Sequence, residues 1–295
     1  MTHATSLKTH DLDRFGRDGF LVVENLIRPD QITALRASFP RVFSGNFDTG
    51  VYPDEWYWRP GMSLPDVTRH MANAWKSDLT IAKLVLSPLI AELAARLAGW
   101  PGIRLGQDTL WWKPPGTKAV TMHQDTSFMD FLDPPRTITC WVPLDDTRQD
   151  AGTLEYVSGS HKWPLTPIPD GFHAPDDYQA AMLLAAEAAG IADPAPRPIE
   201  VAAGSVVFHL GETWHGSGPN RTGDIMRRAI GIHMIHPDVV FADRPGGYIY
   251  RRYQRTGDPA LDESYFPMTW QADGRRTDWI EEYCRSGRRV SQAVA

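Results

Sequence analysis

The sequence predicts a mainly β fold, a jelly roll or barrel, with flanking helices. From about residue 103 short apolar runs alternate with turn signals built on Pro, Asp and Gly, the pattern of many short strands. Before residue 100 the apolar residues instead recur mostly at helical spacing. With 295 residues, 42% of them hydrophobic, the chain can bury a core of that size.

The elements follow in order. Asp11 is suited to cap a short helix that runs to Asp18 and stops at Gly19, and Phe20–Val23 reads as a strand. Pro29 opens a second helix, with Ile32, Leu35 and Phe39 on one face. Residues 43–65, rich in Trp, Tyr, Pro and Gly, read as a loop. Residues 80–98 read as one long helix whose apolar face holds Ile81, Leu84, Val85, Leu89, Leu93 and Leu97, ended by Gly99 and Pro101. The strand-like runs are 103–112, 119–123, 136–143, 152–157, 205–209 and 228–235. Residues 173–198 break this rhythm, and their Ala-rich part, 178–189, predicts an inserted helix positioned to cover one mouth as a lid. The tail from about Phe241 is polar and aromatic, with little periodicity. The expectation is a single domain over 1–295, with N-terminal helices in 11–100 and a strand core at about 103–236.

Composition excludes several functions. A net charge of −6 and a pI near 5.9 lack the basic footprint of a nucleic-acid binder. The basic pairs Arg251-Arg252 and Arg288-Arg289 are short and read as solvated charge. Cys140 and Cys284 are too few and too far apart for a disulfide framework or a Cys-based zinc site, and they suit a reducing cytoplasm. Cys140 sits in the apolar run 137–142 and reads as a buried small side chain. The first 15 residues hold no apolar core of signal-peptide length, and no window reaches the roughly 18 apolar residues a membrane helix needs. The expected partner is therefore a small-molecule substrate, with neither nucleic acid nor membrane. Oligomeric state is not legible in one chain.

The chemistry is carried by Thr121-Met-His-Gln-Asp125. Residues two apart on a strand share a face, so His123 and Asp125 would present an imidazole and a carboxylate side by side. A second histidine, His215, follows much later in a Gly-rich turn. Two histidines and one carboxylate form the facial triad of non-haem Fe(II) oxygenases. Such a set leaves room on the metal for a bidentate 2-oxo acid and for O2. The far carboxylate of the 2-oxo acid needs a cation, and Arg227 and Arg228 open the strand after His215. Strand alternation lets only one of the two face inward. Ser217 could add a hydroxyl beside it.

These residues, in this order, resemble the phytanoyl-CoA dioxygenase-like family of Fe(II)/2-oxoglutarate-dependent oxygenases. The matching stretches are His-Gln-Asp at 123–125, the strand holding Trp141, Gly152-Thr-Leu-Glu-Tyr-Val-Ser-Gly-Ser-His161, and His215-Gly-Ser-Gly-Pro-Asn220 leading to Arg227. Arg17-Asp-Gly-Phe-Leu-Val-Val23 is similar to the family's opening helix-to-strand step. The resemblance runs from about residue 11 to 236 and implies a double-stranded β-helix, a cupin-like jelly roll. It implies iron on His123, Asp125 and His215, and 2-oxoglutarate on Arg227 with help from Ser217. Trp141 would line the cosubstrate pocket, and Gln107 would face the same cavity. Thr222-Gly-Asp-Ile-Met226 is one residue longer than the commonest pattern, which keeps Arg228 open beside Arg227. His161 matches the family but reads as a packing residue.

The expected activity is oxidation, most simply hydroxylation, of an unactivated C–H bond in a small molecule, using Fe(II), 2-oxoglutarate and O2. Trp111, Trp112, Phe128, Met129, Phe131 and the loop from Phe47 to Trp58 are the expected substrate-pocket walls, favouring a ring-bearing secondary metabolite or an amino-acid-like molecule. A cupin-type metalloenzyme doing non-oxidative chemistry would share the triad without needing Arg227. A jelly-roll binding module with a structural metal would want a fourth protein ligand.

Overall fold

The computed structural model describes residues 7–245 and 249–286, so the Arg288-Arg289 pair lies outside the described residues. Helix α1 (Thr9–Asp18) leads into strand β1 (Phe20–Val23). Lys8, not Asp11, takes the N-cap position of α1: the Asp11 carboxylate reaches back and accepts the Lys8 backbone N–H at 3.0 Å. Gly19 ends the helix at φ +83°, and a Cβ there would lie 2.4 Å from the His161 ring, so both backbone and packing require glycine. His161 is thus a packing neighbour of this turn.

Helix α2 (Pro29–Phe43) begins at its predicted proline and buries Ile32, Leu35 and Phe39. The loop after it carries only the short strand β2 (Glu55–Trp56), and strand β3 (Arg69–Ala72) follows. The single helix expected over 80–98 is two. Helix α3 (Leu79–Val85) is capped by the Asp78 carboxylate, which accepts from the Thr80 and Ile81 N–H groups. Helix α4 (Pro88–Ala98) starts afresh after Leu86 and Ser87. Pro88 has no N–H to continue α3 and disfavours helical backbone at the residue before it. The break resets the helical phase: Leu89 is 40% exposed, and Ile90 takes the buried position.

The β region then unfolds in order: β4 (Gly102–Lys113), β5 (Val120–His123), β6 (Leu132–Asp133), β7 (Thr137–Pro143) and β8 (Leu154–Val157). Helix α5 (Ala180–Ala188) interrupts, and then come β9 (Pro196–Pro198), β10 (Val206–Leu210), β11 (His215–Ser217), β12 (Arg227–Ile235) and β13 (Val240–Phe241). The tail adds β14 (Met268–Gln271) and α6 (Ile280–Ser286).

An eight-stranded sheet runs β1-β10-β7-β12-β4-β3-β2, with β14 also paired to β4. A four-stranded sheet runs β5-β11-β8-β9, and β6 pairs with β13 apart from both. All these pairings are antiparallel, and with the flanking helices they make a jelly roll.

Alternation along the large sheet sorts its side chains between two environments. Leu105, Leu110, Ile138, Cys140, Val142, Ile230 and Ile232 face outward and bury themselves against α2, α3 and α4. Trp112 belongs to this outer face, edge-on to Phe39 and Phe43, so it is not a pocket wall as expected. Cys140 is fully buried there, as its apolar run predicts. The opposite face carries Thr109, Trp111, Thr139, Trp141, Arg227, Gly231 and His233 toward the cavities between the sheets.

Helix α5 does not cover a mouth. Met182 and Ala185 pack on Met122, Val157 and Trp214, on the outward face of the four-stranded sheet. What the 173–198 insertion brings to the mouth is its first residue, His173, beside Phe172. No described helix is long and apolar enough to cross a membrane.

Candidate metal centre

His123 closes β5 and His215 opens β11, and the antiparallel register sets them directly opposite each other. Gly216 allows this approach, because a Cβ there would sit 2.7 Å from the Met122 backbone. Each imidazole is pinned from behind. His123 Nδ1–H donates to the Thr121 carbonyl at 2.8 Å, and His215 Nδ1–H donates to the Thr213 carbonyl at 2.9 Å. Both rings therefore present Nε2 lone pairs to the interior.

Asp125 does not lie on the strand as expected. The strand ends at His123, Gln124 stays extended, and Asp125 starts a 3-10 turn over Asp125–Phe128. The extended Gln124 preserves the two-residue alternation, so the carboxylate still meets the imidazoles. Asp125 Oδ1 lies 3.4 Å from His123 Nε2 and 3.5 Å from His215 Nε2. Ligand atoms of the three residues all fall within 4.8 Å of one another, and all three residues are buried.

The second oxygen of Asp125 has a different set of neighbours, which sequence reasoning missed. Oδ2 accepts the Thr139 hydroxyl at 2.6 Å and His209 Nε2–H at 3.0 Å. One arrangement of protons satisfies the surrounding chain. Trp111 Nε1–H donates to Thr109 Oγ1 at 2.9 Å, and the Thr109 hydroxyl donates to His233 Nε2 at 3.1 Å. His233 Nδ1–H donates to Thr139 Oγ1 at 3.0 Å, and Thr139 donates to Asp125. On the other side the Tyr156 hydroxyl donates to His209 Nδ1 at 3.0 Å. Burial opposes charge on Asp125, but the imidazoles of His233, His215, His123 and His209 prevail and hold its pKa well below the usual carboxylate range. Burial, with His123 alongside, pushes the His215 pKa well below that of free imidazole, so this ring stays neutral with its lone pair available.

The two arginines separate as alternation requires. Arg228 points outward and pairs with Asp145 through two bonds, of 2.9 and 2.7 Å. Arg227 points inward and is 2% exposed. Its Nε donates to the Gly152 carbonyl at 3.0 Å and its Nη2 to Ser217 Oγ at 3.3 Å. Among the described residues no carboxylate forms an ion pair with it, and burial lowers its pKa to about 10. A buried cation without an anionic partner is costly unless an anion joins it. Lys113, also missed, is a second buried basic side chain near Arg227; burial, with Arg227 alongside, pushes its pKa well below the usual lysine range, and its Nζ donates to the carbonyls of Lys118 and Gly218 at 2.9 and 2.5 Å.

A narrow cavity runs from the triad to Arg227 and Ser217, walled by Trp141 and Leu154. A larger one, about 380 Å³, opens beyond it and shares Trp111, His123, Asp125 and His233 with the first. Gln107, Phe128 and Met129 line this larger cavity, as do Glu55 and Tyr57 of the aromatic loop. Gln107 therefore faces the outer cavity and not the one that holds Arg227. Phe131, an expected wall, does not line either cavity. It is fully buried against Phe241, Tyr250 and Phe266 in a separate apolar cluster. Phe47, Tyr52 and Trp56 pack on one another and not on the cavity.

The residues fit a divalent metal with a dicarboxylate 2-oxo acid. The donor set is two imidazole nitrogens and one carboxylate oxygen, and the free cation sits at the far end of the adjoining cavity.

Comparison with known proteins agrees. The family model for phytanoyl-CoA dioxygenase (PhyH) matches residues 15–229. The peroxisomal phytanoyl-CoA dioxygenase of Rattus norvegicus is 27% identical over 261 residues, spanning 79% of this chain and 69% of its own length. The ectoine dioxygenase of Bordetella bronchiseptica is 26% identical over 232 residues, 74% of this chain and 72% of its own. Among solved structures, the non-heme alpha ketoglutarate dependent carbocyclase SnoK from nogalamycin biosynthesis superposes with a TM-score of 0.69 at 26% identity, covering 90% of this chain and 98% of its own.

Proposed function

Because the chain belongs to the phytanoyl-CoA dioxygenase family, and is a dioxygenase that uses Fe(II), 2-oxoglutarate and O2, we propose that His123, Asp125 and His215 hold its iron and that it hydroxylates a C–H bond of a small ring-bearing molecule. The observation that carries the ligand assignment is the convergence of these three side chains within 4.8 Å, from two facing strands and the turn after one of them.

Bound iron supplies the activation of O2, coupled to oxidative decarboxylation of 2-oxoglutarate to succinate. The chain's own residues do the rest by placement. His123 and His215 offer Nε2, with each Nδ1–H held by a backbone carbonyl. Asp125 offers Oδ1, while its other oxygen is held by Thr139 and His209. Arg227, aided by Ser217, anchors the distal carboxylate of 2-oxoglutarate with charge-assisted bonds. Trp141 and Leu154 flank the cosubstrate and keep water from it. The substrate occupies the larger cavity, where Trp111, Phe128 and Met129 supply apolar walls beside the metal ligands. No general base is needed in this scheme.

The need for an anion at Arg227 favours the oxygenase reading over non-oxidative metal chemistry on the same triad. The test is binding followed by turnover. Under argon, Fe(II) and 2-oxoglutarate should give the wild-type protein a weak visible charge-transfer band. Arg227→Ala should weaken 2-oxoglutarate binding by about tenfold to a hundredfold, the loss of a charged hydrogen-bonding partner. In air, a substrate screen should find succinate release coupled to a product heavier by one oxygen. A product lighter by two hydrogens would replace hydroxylation with desaturation or ring closure. Full activity in Asp125→Ala would refute the ligand assignment.

A further inference from the structure

The larger cavity contains two polar groups that the metal site does not use. His70 lies on β3 opposite Trp111 of β4, so both side chains face the cavity. It is 7% exposed, and neither ring nitrogen has a hydrogen-bond partner among the described residues. Its ring packs on Trp111 at 4.2 Å and on Tyr57 at 5.1 Å, contacts that fix the ring without satisfying its nitrogens. Burial, with His173 and His233 nearby, holds its pKa well below that of free imidazole. A neutral imidazole offers one donor and one acceptor. Across the cavity Tyr250 is 5% exposed, and its hydroxyl also lacks a partner among the described residues.

A buried unsatisfied polar group costs about 1–3 kcal/mol, so two in one cavity call for an explanation. A site built to hydrogen-bond a substrate carries that cost in the free protein and recovers it on binding. The charge of the lining narrows the substrate further. Glu55 and Asp130 join Asp125 as the acids of the outer cavity, and no Lys or Arg lines it among the described residues. A lining that carries acids and no described basic side chain disfavours an anion. The walls Trp111, Phe128 and Phe172 suit the faces of a ring.

We propose that His70 and Tyr250 are the substrate-anchoring residues of this cavity, and that they take the hydroxyl or carbonyl edge of a ring-bearing molecule that carries no negative charge. This deepens the proposed function and rests on it. The same lining disfavours phosphate-bearing thioesters and free carboxylic acids as substrates.

The test uses the whole protein with Fe(II) and 2-oxoglutarate under argon, and three probes on one ring scaffold. 6-Hydroxy-1-tetralone carries a neutral polar edge, tetralin carries none, and tetralin-carboxylate is anionic. Binding is read by calorimetry. The wild type should bind the hydroxytetralone at least fivefold more tightly than tetralin, and the carboxylate more weakly than both. His70→Phe, which keeps a ring in the stack, and Tyr250→Phe, which removes one oxygen, should each cut hydroxytetralone affinity about three- to tenfold. Neither should weaken tetralin binding. Equal affinity of wild type and both variants for the hydroxytetralone would overturn the proposal, as would tight binding of the carboxylate. Tyr250→Phe guards against a folding defect in the His70 variant. The charge-transfer band of the same samples separates the two readings. A normal band with unchanged probe affinities sinks only the anchoring pair. Absence of the band in the wild type sinks the iron and 2-oxoglutarate assignment.

Discussion

The two oxygens of Asp125 do different work. Oδ1 faces His123 and His215, while Oδ2 is fixed by Thr139, His209 and, through Thr139, by His233. A carboxylate gripped in this way cannot rotate away from a metal, and loss of such support typically weakens metal binding 10- to 100-fold. Thr139→Val preserves shape and removes only the hydroxyl. It should therefore weaken Fe(II) binding by about that factor in an anaerobic titration, while the circular dichroism spectrum stays unchanged. An unaltered affinity would show that His209 alone suffices to hold the carboxylate. The convergence of His123, Asp125 and His215 was legible from residue types and order. His209 and His233 were also legible in principle by parity. His233 is an even number of positions from Arg227 on one strand, so the two share its face, and His209 shares the inward face of its strand with Val207. The arginine pair shows the same rule succeeding, since alternation alone demanded that one of the two turn away.

At the scale of elements, the strands were the easiest to read and the helices after residue 79 the hardest. A nearly continuous apolar run marks the strand of Val206–Leu210 whatever its partners. The helical face expected over 80–98 ran through Pro88, and apolar spacing outweighed a backbone rule that should have taken precedence. The Ala-rich helix was correctly expected, but its site was not, because nothing in an Ala-rich face specifies what covers it. Asp108 shows how an element end can depend on a remote residue. From β4 it accepts the N–H groups of Ala74 and Trp75 at 3.2 and 3.0 Å, capping the 3-10 turn at Ala74–Lys76 from outside. Burial raises its pKa to about 7 despite these bonds. The folded state then holds a proton on Asp108 that the unfolded chain releases at an ordinary carboxylate pH. Its contribution to stability is accordingly full at acidic pH and is lost as pH rises toward 7. Chemical denaturation from pH 5 to 8 should thus show wild-type stability falling relative to Asp108→Asn as pH increases. A difference between the two proteins that stays flat with pH would mean that Asp108 is ionised throughout.

At the scale of the whole molecule, the site belongs to neither sheet alone. His123 and His215 come from the four-stranded sheet, while Arg227, Trp141 and Thr139 come from the eight-stranded one. The pairings that bring these together join residues 20–23 to 206–209 and 104–113 to 227–235, separations that no local pattern encodes. For that reason the pocket walls were only partly legible. Phe128 and Met129 line the larger cavity, yet Phe131 turns into another cluster, because the chain passes from a 3-10 turn into a short strand with no steady period to extrapolate. A site built from both sheets also makes its ligands into cross-braces. Each ligand at about 100 times its dissociation constant should stabilise the fold by about 2.7 kcal/mol, which for a chain of this size is on the order of 4–5 °C in melting temperature. Fe(II) under argon should give one such increment and 2-oxoglutarate a second. Arg227→Ala should keep the first and lose most of the second, because the proposed iron ligands are intact while the proposed anchor for the distal carboxylate is gone. Differential scanning fluorimetry reads both increments in one plate. A variant that gains as much from 2-oxoglutarate as the wild type would move the cosubstrate away from Arg227 and leave the buried guanidinium without an explanation.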